Sequence, residues 1–318
     1  MAANGAANGA AADSGIILHH YDASPFSEKV RLLLGLKGLG WASVVTPNMM
    51  PKPDLVPLTG GYRRAPVMQS GADVYCDSQV ILAEIEARAP GPKAANGAAW
   101  AVNLWADRLF FGVTVPVIFG ELGDAVDPAF IADREKLSGR PFDVAAMKAA
   151  GGPMRQQWRA QAAWIDEALD GRDFLDGEAP GLADISAYMN VWFLAGATPK
   201  IAAELMAGLD RLQAWAGRVQ AIGHGVRREM TGAEALEVAR RAEPGAAPAH
   251  DASDPLGLEP GAPVMVSADD YGREPVSGRL VAATPQRVVI AREAEGLGRL
   301  NLHFPRAGYV VRPATDKN

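Results

Sequence analysis

The stretch that decides the fold is residues 24–31, Ser24-Pro25-Phe26-Ser27-Glu28-Lys29-Val30-Arg31 (SPFSEKVR). Just before it lies a short apolar run, Ile16, Ile17 and Leu18, which has the composition of a buried strand. From within it Val30, Leu33, Leu34 and Leu36 recur at helical spacing, and Gly38 and Gly40 end the helix. Ser24 is then the N-cap and Pro25 the first helical residue, both preferred types at those positions. A cap is a sufficient account of the pair. The same geometry has a second use. A helix start carries unpaired N–H groups and a positive partial charge. It favours a thiolate and lowers a sulfur pKa from its free value of about 8.5. A serine hydroxyl there can donate to the same anion, and the sulfur can belong to a bound peptide.

Outward from this helix, residues 41–46 form the next strand, and a loop with Pro47, Pro51, Pro53 and Pro57 follows. Residues 65–69 and 72–76 pattern as a hairpin turning at Ser70 and Gly71, and residues 77–88 as a helix with Val80, Ile81 and Ile85 inward. The order predicts an α/β domain over 15–90, a four-stranded mixed sheet with helices packed on it. Pro66 stands at a strand start, where it cannot donate to the ladder. It is either an edge-strand proline or a cis bond that turns nearby backbone toward a ligand. Asp77 and Ser78 open the last helix. They are either a cap with an acidic first turn or a site for a carboxylate, with Asp77 near an ammonium.

In this order and on these elements, the features resemble the thioredoxin-like domain of glutathione transferases. The SPFSEKVR helix is similar to the active-site helix of the omega-type and serine-type members, and omega-type enzymes place cysteine where this chain has Ser24. The resemblance implies a glutathione transferase acting on an apolar electrophile. Glutathione is then co-substrate, with no metal and no other cofactor. It implies Ser24 as the catalytic residue, with Tyr21 in reserve. Pro25, Phe26, Ala65, Pro66, Val67, Asp77, Ser78 and Arg64 become glutathione contacts, the last (or Arg63) toward the glycyl carboxylate. Trp105, Phe110 and Phe111 become candidates for the electrophile pocket, with core packing as their other reading. A homodimer is implied as well. Two other functions stay open, a non-catalytic interaction or regulatory protein on this fold and a glutathione-dependent lyase or isomerase.

Residues 89–95 (APGPKAA) are a linker by composition, and the chain beyond is helical to about residue 242. Trp100, Leu104, Trp105 and Leu109 share a face, Pro116 is placed to kink or end that helix, and Met154, Trp158, Ala162, Ile165 and Leu169 form an amphipathic stripe. Residues 171–188 resemble the capping-box helix of the transferases' helical domain, with Asp184 in a structural role and Gly181 where the family has Ser or Thr. The resemblance ends near residue 242. A second linker, 243–254, precedes a region where the period changes to two. Residues 264–267, 276–283, 287–292, 300–304 and 309–312 read as five strands of a small all-β module over 255–316, an SH3- or OB-like barrel or an open sheet docked on the helices.

The composition excludes several classes. At 318 residues two or three domains are expected. The net charge is -6 and no basic stripe is present, which argues against nucleic-acid partners. A single cysteine, Cys76, rules out an internal disulfide framework and reads as a small buried hydrophobe. His19 and His20 are adjacent on a strand, point to opposite faces and cannot share one metal. Residues 1–14 have the Ala/Gly/Asn composition of a disordered tail and lack a secretory pattern, and no apolar run approaches a membrane span. A cytoplasmic protein without a membrane partner is the expectation.

Overall fold

The computed structural model describes residues 13–89 and 93–314. Most of the expected N-terminal tail and residues 90–92 of the first linker lie outside the described residues. The α/β unit comprises β1 (Asp13–His20), α1 (Pro25–Leu36), β2 (Gly40–Val45), a short α2 (Val56–Thr59), β3 (Val67–Ser70), β4 (Asp73–Cys76) and α3 (Ser78–Arg88). Strand β1 runs parallel to β2 and antiparallel to β3, which pairs antiparallel with β4. The two-residue period of β1 sorts its side chains. Ile16 and Leu18 join Val30, Leu33, Ile81 and Ile85 of α1 and α3 in one core, and Ile17 points to the other face.

The helical part comprises α4 (Gly97–Trp105), a π-helical turn (Ala106–Phe110), α5 (Phe111–Leu122), α6 (Pro128–Ser138), α7 (Val144–Ala149), α8 (Gly151–Ala168), α9 (Leu182–Ala197), α10 (Pro199–Met206) and α11 (Asp210–Gln220). Pro116 lies inside α5 and does not end it. Gly97–Ala125 is a continuous helical run of 29 residues, long and apolar enough to cross a membrane by length and composition. Its apolar sequence is interrupted by Asp107 and Arg108. In the fold α4 and α5 pack against α9, and α5 also against α8.

Helix α9 shows why glycine replaces the expected cap. The Asp184 carboxylate, fully buried, accepts from the Gly181 N–H at 3.0 Å, the Leu175 N–H at 2.7 Å and the Trp215 indole at 2.7 Å. The other half of the box comes from Asp176, which accepts from the Ala183 N–H at 3.0 Å. A Cβ at position 181 would run into that Asp176 carboxylate. The cap has moved to a neighbouring residue, and the helix start is not weakened by its loss.

Two segments extend the sheet beyond the four expected strands. The helical reading to residue 242 is corrected by β5 (Val226–Glu229), which pairs parallel with β2, and by α12 (Gly232–Arg240). All four β5 side chains are exposed, so no alternating pattern marks it. Ala235 of α12 packs on Ile17, Ala42 and Val44 and covers the second sheet face. At the opposite edge stand the five strands expected in the C-terminal module, β6 (Pro263–Ala268), β7 (Val276–Ala283), β8 (Arg287–Ala294), β9 (Gly298–Pro305) and β10 (Tyr309–Pro313), in the order β10-β6-β7-β8-β9. Their last strand lies beside their first. The module does not stand apart. Strand β9 pairs parallel with β4, placing Val74 opposite Leu302 and Tyr75 opposite His303. His303 Nε2 meets Asp73 Oδ1 at 2.8 Å across this seam. Tyr62, Val67, Val74 and Cys76 share one apolar core with Val266, Leu302 and Phe304.

Candidate active site

Three local features meet at the C-terminal side of β1 and the ends of β3 and β4. The first is the start of α1. Ser24 has extended backbone (φ -81°, ψ 119°), and its Oγ accepts from the Ser27 N–H at 3.2 Å. It is almost fully buried. The histidines of β1 anchor this end from opposite faces. His19 Nε2 bonds Gln69 Oε1 at 3.0 Å. Arg31 can only donate, so His20 Nδ1 accepts from it at 3.0 Å, and His20 Nε2 donates to Ser43 Oγ at 3.0 Å. Burial lowers both imidazoles to about 4, with the charge of Arg31 adding to the effect at His20, so both are neutral near pH 7.

The second feature is the Ala65–Pro66 bond, which is cis and enters β3. The third is Asp77, the sole non-glycine residue with positive φ (98°) among the described residues. Its Oδ1 accepts from the Gln79 N–H at 2.8 Å and so caps α3. A non-glycine residue in such a conformation costs on the order of 1–3 kcal/mol, a strain that clusters at ligand sites.

Phe26, Arg64, Ala65, Pro66, Asp77 and Ser78 line one cavity, facing Leu104, Asp107 and Arg108 of the helical part. Its free space is only about 40 Å³, room for a few waters. The chain fills the rest itself. The Arg64 guanidinium lies 4.0 Å from the Tyr271 ring centroid and is paired with Asp270. Arg108 meets Asp269 at 2.7 Å and Asp270 at 3.6 Å, while Arg63, off the cavity wall, pairs chiefly with Asp133 at 2.9 Å. The Gly272 N–H donates to the Leu137 carbonyl of α6 at 2.7 Å. Tyr309 donates toward Asp77 Oδ2 at 3.0 Å and lies 3.3 Å from the Tyr62 hydroxyl. Burial, and for Tyr62 and Tyr309 also the Asp77 charge, raises these phenols well above the usual tyrosine range, and burial takes Tyr271 to about 12. All three stay protonated and can donate.

The other expected site residues lie elsewhere. Ser24, Tyr21, Pro25 and Val67 are not on the cavity wall, and Val67 is fully buried in β3. Of the three aromatics read as pocket candidates, Phe110 is fully buried against Trp158, and Trp105 turns to Gln161 and Trp164 of α8. Phe111 alone reaches the α1 end, edge-on to Phe26 at 4.8 Å. Cys76 is buried, with its thiol pushed well up by burial and by Asp77. Sequence reasoning missed Tyr62, Asp107, Arg108, Asp270, Tyr271 and Tyr309. Tyr271 and Gly272 lie in the turn between β6 and β7. Lys29 was a further signal, a lysine within the apolar stripe of α1. It is fully buried and donates to Asp107 at 2.6 and 2.8 Å and to Asn103 at 2.9 Å. Among the described residues, no group of three or more His, Cys, Asp or Glu side chains is placed to hold a metal ion.

Two family descriptions match the chain, "Glutathione S-transferase, N-terminal domain" over residues 18–93 and "Glutathione S-transferase, C-terminal domain" over residues 122–218. The crystal structure of a GST-like protein from Pseudomonas syringae is 33% identical, with a TM-score of 0.74 over 94% of this chain and 99% of that one. Coverage of that extent includes most of the C-terminal strands. A glutathione S-transferase from Rhodospirillum rubrum F11 is 20% identical with TM-score 0.50, over 65% of this chain and 88% of its own. One from Methylobacterium radiotolerans, solved in complex with glutathione sulfonate, is 22% identical with TM-score 0.50, over 68% and 97%. At these identities the last two show the fold alone. No curated protein matches the chain.

Proposed function

The chain belongs to the glutathione S-transferase family, and we propose that it binds glutathione along this cavity and activates the thiol for attack on an apolar electrophile. The observation that carries the reading is the meeting of Phe26, Ala65, Pro66, Asp77 and Ser78 on one wall, with Asp77 held in a costly backbone conformation. The γ-glutamyl group would lie at Asp77 and Ser78, its ammonium on the Asp77 carboxylate. The sulfur would lie toward the start of α1. There the helix field and the Ser24 hydroxyl favour the thiolate. The apolar co-substrate would rest near Phe26, Phe111 and Leu104. The enzyme supplies a lowered thiol pKa and proximity.

Glutathione conjugation of an aryl halide tests this. Ser24→Ala should lower kcat/KM on the order of 100-fold, the scale of losing one donor to a developing anion, with the affinity for glutathione sulfonate retained. An unchanged rate would make Ser24 a cap and nothing more. Ser24→Cys should trade conjugation for thiol–disulfide exchange. A second reading, a non-catalytic protein on this fold, is favoured by the positions of Tyr271 and Tyr309, which fill the cavity where the peptide would lie. Absence of glutathione binding at millimolar concentration would select it.

A further inference from the structure

We propose that residues 269–274 (DDYGRE) together with Tyr309 are a built-in occupant of the glutathione cleft, held by the charges that a ligand would use, so that ligand binding requires their displacement. The inference rests on the glutathione reading above and deepens it. The chemistry of the occupant matches that of the ligand. Two guanidiniums, Arg64 and Arg108, are met by two carboxylates, Asp270 and Asp269. The Asp77 carboxylate is met by a donor, the Tyr309 hydroxyl. Glutathione brings the same set, two carboxylates and an ammonium donor. Arg64 belongs to the α/β unit and Arg108 to the π-helical turn, so the segment bridges both walls of the cleft.

The fit is specific in its backbone. Gly272 (φ 58°) and Gly308 (φ 86°) are both left-handed. A Cβ at position 272 would press on Leu137 and Arg64, and one at position 308 on Arg108. The left-handed backbone at both places favours glycine. The hold is of a kind that can be exchanged. Arg108 is 33% exposed and Asp269 47%, so this pair is screened by solvent and salt. The body of the module is held otherwise, by the β4–β9 ladder and a shared apolar core. The 269–274 turn can leave, and the Tyr309 side chain at the first residue of β10 can swing out, while the strands remain.

Calorimetric titration of the full chain with glutathione sulfonate, beside the Asp269→Asn/Asp270→Asn variant, tests the proposal. Hydrogen exchange at residues 269–274 is followed with and without ligand. The variant should bind about 10-fold or more tightly, since it no longer has to release the segment first. In the unmodified chain the ligand should raise exchange at 269–274, the reverse of ordinary protection. Equal affinity with no rise in exchange would overturn the inference and leave the glutathione reading intact. Absence of binding by both proteins, with the variant folded and its segment exchanging freely, would overturn the glutathione reading and this inference with it.

Discussion

The starts of α1 and α3 offer the same thing, a helix N-terminus at the cleft, and the chain closes them differently. At α1, Ser24 binds an N–H three residues on. At α3, Asp77 spends one oxygen on Gln79 and gives the other to Tyr309, 232 residues away. The first closure is part of the helix and cannot open without fraying it. The second is lent by a distant module and can be withdrawn with α3 intact. On the proposed reading, control of the cleft lies at the α3 end and chemistry at the α1 end.

Acid is the strongest lever on the α1 end. His19 and His20 are neutral in the fold, with pKa values near 4 against an ordinary 6.5. The unfolded chain takes up their protons as pH falls through 6.5, and the folded chain does so only near 4. Stability is thus full above about pH 6.5 and lost between there and 4, by about 2 kcal/mol per histidine at pH 5. Urea unfolding at pH 7 and pH 5 measures the difference. Equal stability at the two values would mean that the imidazoles are not held neutral.

The start of α9 is an intermediate case, closed by Asp176 from five residues upstream of its cap. Restoring the family's cap with Gly181→Ser should destabilise by roughly 1–3 kcal/mol, the usual scale of overpacking. Thermal melts of that variant and of Asp176→Ala/Gly181→Ser check this, and the double variant should recover part of the loss. The smallest expected effect is that of Ser24→Ala on stability, about 1 kcal/mol for a lost cap, far below its expected effect on rate.

What was legible in the sequence follows the same division. Ser24, Pro66 and Asp77 announce themselves through turn and cap chemistry with near neighbours. Strand β5 does not, since an edge strand with every side chain exposed has no apolar period to read. Phe110 and Phe111 are adjacent on one apolar helix, and spacing alone could not tell the core residue from the one at the cleft. Asp270 and Tyr271 sit in a turn, and Tyr309 begins a strand. Nothing local to them specifies that they meet Arg64 and Asp77 more than 200 residues earlier. Asp184 was legible in its structural role, but its partnership with Asp176 was not.

The most direct measurement is a crystal structure of the full chain with glutathione sulfonate. The account predicts the γ-glutamyl group on Asp77 and Ser78, the sulfonate at the start of α1, and Tyr271 and Tyr309 withdrawn from the cleft. A ligand bound elsewhere, with both tyrosines still in place, would contradict it.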